Sequence, residues 1–307
     1  MPFYSREYLD FMGITDLSIG RHPETGDEFI IDAIDRFSGM YIDGQQGYGK
    51  SGLLKTCIEH DIHQRNTAVF VFDPHGDLVD DLIAEMSAED IPRTYLLDLM
   101  DEEYPFGINI FGGKPPSSSA EAGKRINRVN GIFDVVWEDI LTQAYLPLYL
   151  QNAVLVLLAN PGSTLVDMLR FFTRADFRSK LLTSQAVPAD VRDFWESEYN
   201  NLSEEAQRAK AGALLTRLHT LFTGKPLLRN IMGQRRTTIN FRQLIEQQAI
   251  VLIKLPLRQL EAESKLLGTV LVSLLNGAVF SYADTPEGQR PGASVYVDEF
   301  QNFATKN

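Results

Sequence analysis

The spacing of apolar positions changes along the chain and divides it into three stretches. In the first, to residue 114, short apolar runs alternate with helical spacings. Ala68-Val69-Phe70-Val71-Phe72 is a β-rich run stopped at Asp73-Pro74, because a residue before proline is driven out of the helical region. Residues 37–42 and 94–99 are further strand candidates. Leu54, Cys57, Ile58 and Ile62 recur at helical spacing over 51–63, and 78–86 reads as a short amphipathic helix. Strands separated by helices predict an α/β fold with a mostly parallel sheet.

From Lys114-Pro115-Pro116-Ser117-Ser118-Ser119 onward the period becomes helical and strand runs disappear. Ile126, Val129, Ile132, Phe133 and Val136 share one helical face. Pro161-Gly162-Ser163 breaks the chain ahead of Thr164-Leu165-Val166-Asp167, which has capping-box spacing. Residues 189–201 and 204–222 are predicted helices, the second turning Leu214, Leu215, Leu218 and Leu221 inward. The strand pattern then resumes. Residues 249–255 form an apolar run closed by Pro256, 261–282 a long helix, 285–293 a polar turn and 295–297 a last strand. The expected organisation is an α/β core in two pieces, 1–114 and 237–307, with an all-α domain, 115–236, inserted between them.

Composition and charge sharpen this in four respects. The net charge of −12 is unevenly placed: residues 1–114 carry 8 basic and 22 acidic side chains, 115–236 carry 15 and 12, and 237–307 carry 6 and 7. The acidic total disfavours a nucleic-acid partner, and only the mildly basic middle supports one. One cysteine, Cys57, excludes an intrachain disulfide and fits a reducing compartment; its place among apolar helix positions predicts packing. The longest apolar stretches, 145–159 and 266–280, are interrupted by polar residues and fall short of the roughly 20 residues of a bilayer span. The first ten residues are polar and carry both signs of charge, unlike a secretory signal. A cytoplasmic protein without a transmembrane segment of its own is expected, reaching a membrane only through a partner.

Two motifs carry the chemistry. Gly44-Gln45-Gln46-Gly47-Tyr48-Gly49-Lys50-Ser51 matches the phosphate-binding pattern G-x-x-x-x-G-K-[ST]. Its glycines allow a tight turn that presents backbone N–H groups to an anion, and the following helix adds its dipole. Lys50 is expected to reach the β- and γ-phosphates of ATP, and the Ser51 hydroxyl to ligate Mg²⁺. Far downstream, Val295-Tyr296-Val297 ends in Asp298-Glu299. Asp298 suits a Mg²⁺ ion or its water shell, and Glu299 suits polarisation of the attacking water. The 247 positions from Ser51 to Asp298 leave room for an intervening strand, as in nucleotide hydrolases that insert one between the two sites. His60 and His63 lie one helical turn apart and read as a polar face rather than a metal site.

Several segments together resemble the HerA–FtsK-type ATPases, in particular the coupling proteins of conjugation and type IV secretion. Asp73-Pro74-His75-Gly76-Asp77 is similar to that group's second-strand signature, Pro105-Phe106-Gly107-Ile108-Asn109 to the segment leading into its helical domain, and residues 295–305 to its hydrolysis strand. The resemblance implies a P-loop NTPase (RecA-like) core, and an ATPase that assembles as a ring, commonly a hexamer, and moves DNA without sequence specificity. Gly44–Ser51 would bind phosphates, Asp298 would serve the metal and Glu299 would activate water. Asp73 would lie near the γ-phosphate or cap its turn, with His75 beside it. Tyr48 departs from the small residue usual at its position. Family members continue beyond the hydrolysis strand with a polar sensor and an arginine given to a neighbour, so the chain as written is expected to be a truncated form. A motor acting on protein substrates, and a nucleotide-binding module without turnover, are the alternatives.

Overall fold

A computed structural model describes residues 6, 9, 14–45, 47–137 and 145–302. In chain order the elements begin with β1 (Leu17–Arg21), β2 (Glu28–Ile31), α1 (Ala33–Phe37), α2 (Lys50–Gln64), β3 (Thr67–Asp73), α3 (Asp77–Ala84) and β4 (Thr94–Asp98). Among the described residues seven α-helices follow: α4 (Ser119–Val136), α5 (Leu146–Leu158), α6 (Leu165–Thr173), α7 (Ala175–Leu182), α8 (Ala189–Asp193), α9 (Glu204–Phe222) and α10 (Pro226–Met232). The chain then forms α11 (Phe241–Glu246), β5 (Ile250–Lys254), α12 (Glu261–Phe280) and β6 (Gly292–Val297).

Two compact units result. Of the described residues, one gathers those up to Asp98, Asn240–Leu260 and 274–302; the other gathers Leu99–Ile239 and Glu261–Ser273. The sequence-based boundary at 114/115 therefore falls inside the second unit.

The first unit is built on a four-stranded parallel sheet in the order β4-β5-β3-β6, which meets the expectation of an α/β fold. All seven residues of β3 are buried, as its unbroken apolar run requires of a central strand covered on both faces. On one face Val69 and Val71 pack with Ile58 and Ile62 of α2 and with Leu78, Val79 and Leu82 of α3. On the other, the Phe70 ring lies 5.8 Å from that of Phe241 in α11. The outer strands are more open: Tyr95 and Leu96 of β4 and Val295 of β6 are exposed.

The strand expected over 37–42 does not form. Helix α1 takes Phe37, and residues 39–45 join no ladder. The reason is tertiary. A strand needs partners for its N–H and C=O groups, and among the described residues none pairs with this segment. It forms one wall of a cavity whose opposite wall is β6, the edge strand. The antiparallel β1–β2 hairpin, bulged between Ser18 and Gly20, has too short a pattern to be read from the sequence.

The second unit is helical. Thr164 and Asp167 form both halves of the capping box at the start of α6. The helix expected over 189–201 changes character: α8 ends at Asp193 and a π-helical turn runs Phe194–Tyr199. That wider turn lets Phe194, Trp195 and Tyr199 all be buried, with the Trp195 ring 4.7 Å from Phe171 and 4.9 Å from Tyr199. The two ends of the helical excursion are tied to each other. Ile108 N–H donates to the Ile231 carbonyl (3.0 Å), Thr238 N–H to Gly107 (2.9 Å), and the Asn109 amide to Arg235 (2.9 Å). A Cβ on Gly107 would stand 2.9 Å from the Arg236 carbonyl oxygen, so the tie requires glycine there.

The apolar run at 266–280 lies within α12, whose 20 residues are long and apolar enough to cross a membrane by length and composition alone. Leu266, Leu267, Val270 and Leu271 are fully buried in the protein, as in a core helix.

Candidate functional site

Parallel strands end at one edge of the sheet, the edge where open α/β sheets bind ligands. Here that edge is charged. In sheet order its closing residues are Asp98, Lys254, Asp73 and, one residue past β6, Asp298. Asp73 and Asp98 are both in register with Lys254. The Asp298 N–H donates to the Phe72 carbonyl at 3.0 Å, extending the ladder and setting Asp298 level with the end of β3.

The glycine-rich loop precedes α2. Gly47 and Gly49 have φ of 84° and 87°, left-handed values that favour glycine, and Tyr48 N–H closes a turn on the Gln45 carbonyl at 3.3 Å. Gly49 is the N-cap of α2, no side chain caps the helix, and its first turn has no acidic residue. The N–H groups of that first turn, which have no acceptor within the helix, keep their full pull on an anion. The Lys50 ammonium donates to the Gly44 carbonyl at 2.7 Å, so it folds back across the loop. Gln45, Tyr48 and Ser51 are exposed, Tyr48 to 80%. Gln46 lies outside the described residues.

A cavity of about 740 Å³ is lined by Asp43 and Lys50 on the loop side and by Asp298 and Glu299 on the strand side. Burial raises the Asp298 carboxyl above its ordinary value, and the Asp73 and Glu299 charges add to the rise; the Glu299 N–H, 3.0 Å away, and His75 oppose it. Such a carboxylate gains from a cation beside it. Glu299 has φ of 47°, a left-handed backbone that costs a non-glycine residue roughly 1–2 kcal/mol, and its carboxylate accepts from the Gln301 amide. Strain of this kind tends to be kept where it aims a functional group.

Asp73 is fully buried and fully engaged. One oxygen accepts from the N–H groups of His75 and Gly76, both at 2.8 Å, and the other from Val79 at 2.9 Å. This is a cap on the turn into α3. His75 is exposed at the same edge.

Three features were not legible in the sequence. Lys254 reaches Asp80 at 2.8 Å and Asp98 at 3.8 Å. Burial lowers its ammonium pKa, but Asp80 and the neighbouring acids outweigh that and hold it above the ordinary lysine range. Arg36 of α1 forms an ion pair with Asp61 of α2 at 2.5 Å, both side chains 9% exposed. Tyr296 of β6 donates to the other Asp61 oxygen at 2.6 Å. Burial and the Asp61 charge push the Tyr296 phenol far above its ordinary value, so it stays a donor. Alternation along β6 would have placed Tyr296 on the Asp298 face; nothing local pairs Arg36 with Asp61, 25 residues apart.

By type the expected ligands suit Mg²⁺, although of the two only Asp298 lines the cavity and Ser51 is exposed. A hydroxyl at Ser51 and a carboxylate at Asp298 are hard oxygen ligands of the type that ion takes, together with phosphate oxygens and water. Among the described residues no group of three or more His, Cys, Asp and Glu could hold a metal by itself. No protein-family model matches the chain, and no curated protein matches it.

Proposed function

We propose that the chain binds ATP with Mg²⁺ and hydrolyses it, as the core of a P-loop (RecA-like) ATPase of the HerA–FtsK type. The observation that carries this reading is the one cavity lined by Lys50, at the head of an uncapped helix, and by the strand-end carboxylates Asp298 and Glu299. The loop Gly44–Ser51 holds the β- and γ-phosphates with backbone N–H groups, and Lys50 exchanges the Gly44 carbonyl for phosphate oxygens. Ser51 and Asp298 hold Mg²⁺, which when bound neutralises phosphate charge. Glu299 takes the proton of a water whose oxygen bonds to the γ-phosphorus while the bridging P–O bond breaks and ADP leaves. ATP-binding and turnover assays test this. Lys50→Ala should weaken ATP binding at least tenfold, and Glu299→Gln should keep binding while losing turnover about a hundredfold. Turnover unchanged in both variants refutes the site.

The cellular reading is a DNA translocase or coupling ATPase of conjugative or type IV secretion transfer, working as a homo-oligomeric ring, a hexamer. It would act in the cytoplasm and meet the membrane through a partner protein. The exposed cations Lys124, Arg128, Arg208, Arg229, Arg235 and Arg236 of the helical unit are the groups to meet DNA phosphates, which makes binding salt-dependent and blind to sequence. The net charge of −12 favours a second reading, a motor for protein substrates. DNA separates the two: it should speed hydrolysis and bind in low salt under the first, and do neither under the second.

A further inference from the structure

The Arg36–Asp61–Tyr296 network joins three segments that the candidate site depends on. Arg36 lies on the chain entering the loop, Asp61 on the helix leaving it, and Tyr296 on the strand that carries Asp298. Both oxygens of Asp61 are used, one by Arg36 at 2.5 Å and one by Tyr296 at 2.6 Å. The Tyr296 hydroxyl has the Cys57 carbonyl as a further acceptor at 3.0 Å, and Arg36 also donates to the Thr15 carbonyl at 3.0 Å. Tyr296 precedes Asp298 by two residues, and the Asp298 N–H bond to Phe72 carries the ladder one residue past β6, so alternation sets Asp298 on the same face as Tyr296. Asp61 follows Ser51 by ten residues, about 15 Å along one continuous helix.

We propose that this network is a brace that positions Asp298 against Ser51, so that Mg²⁺ and nucleotide bind as one unit; the proposal rests on the reading of the site as a Mg²⁺–nucleotide site. Mg²⁺ would hold its oxygen ligands, water included, only near 2.0–2.1 Å in nearly octahedral geometry, so a group serving it directly or through its waters must be placed closely. A helix free to tilt or slide on β6 by a fraction of an ångström therefore loses the metal before it loses the loop's own phosphate contacts. The buried charges suit the task. An ion pair closed by a hydrogen bond from a third residue holds one geometry, whereas an apolar contact alone lets the helix slip.

The test measures ATP affinity with Mg²⁺ and with excess EDTA, in the wild type, Tyr296→Phe and Asp298→Asn, with a melting curve for each. Tyr296→Phe keeps the ring and its packing while removing the hydroxyl. It should keep its Mg²⁺-free affinity within about threefold and lose at least tenfold of the tightening that Mg²⁺ gives the wild type; Asp298→Asn should lose the same tightening. If Tyr296→Phe melts early, Asp61→Asn, which keeps an acceptor for the tyrosine but breaks the charge pair, should show the same selective loss. Full Mg²⁺ tightening in Tyr296→Phe overturns the brace and leaves the site standing. An equal loss with and without Mg²⁺ also overturns it, since the network would then serve only the fold. A wild type that binds no ATP overturns the reading of the site, and the brace with it.

Discussion

Removal of the Asp73 carboxylate tests whether the charged sheet edge divides its acids between structure and chemistry. Asp73 is 0% exposed and accepts three backbone N–H groups. A hydrogen bond to a charged group contributes about 1.5–3 kcal/mol. In Asp73→Asn one oxygen can still serve His75 and Gly76, but the amide nitrogen meets the Val79 N–H donor to donor. That variant should lose about 1.5–3 kcal/mol. In Asp73→Ala all three donors are orphaned. Because the three bonds share one carboxylate and are not additive, about 3–5 kcal/mol is expected. The assay is urea unfolding followed by hydrogen exchange of the β3–α3 peptides. This reports the sheet-containing unit, whereas both tryptophans, Trp137 and Trp195, lie in the helical one. Nucleotide affinity of Asp73→Asn should stay within about threefold of the wild type. A cost below about 1 kcal/mol for Asp73→Ala, or a selective loss of nucleotide binding in Asp73→Asn, would refute the assignment of Asp73 as a cap.

Two further substitutions have expected outcomes of opposite sign. Burial alone would raise the Asp90 carboxyl, but Ser87 at 2.6 Å and the Arg93 guanidinium at 3.1 Å outweigh it and hold the group below its ordinary value of 3.8. A depressed folded-state pKa gives stability that is complete above pH 3.8 and lost as pH falls through the folded value. Asp90→Asn should therefore flatten acid unfolding below about pH 4 while lowering stability at pH 7; identical acid profiles for the two proteins would contradict this. Glu299→Gly relieves the left-handed backbone at φ 47° and should raise stability by roughly 1 kcal/mol while abolishing turnover. Thermal melts and ATPase rates read both effects, and a lower melting temperature would show that the conformation is not strained.

The sequence by itself determined the local features. The β-branched and aromatic run at 68–72, stopped at Asp73-Pro74, predicts a strand, and β3 is the fully buried centre of the sheet. The spacing of Cys57, Ile58 and Ile62 gave α2 its inward face, and Thr164 with Asp167 gave α6 its cap. The loop glycines were legible because φ of 84° and 87° at Gly47 and Gly49 exclude most other residues. Tertiary structure decided the rest. Residues 37–42 have a strand-like composition, yet strand formation depends on a paired neighbour, and here the segment and the edge strand β6 line a cavity instead of pairing. Phe194–Tyr199 widened into a π turn because burying three large rings outweighed regular hydrogen bonding. The Arg36–Asp61–Tyr296 network depends on contacts between segments up to 235 residues apart. Periodicity and motif spacing report only forces acting along the chain, whereas the positions of Asp298, Lys254 and Tyr296 follow from strand order and register, which are set when distant segments compete for the same hydrogen bonds and the same buried volume.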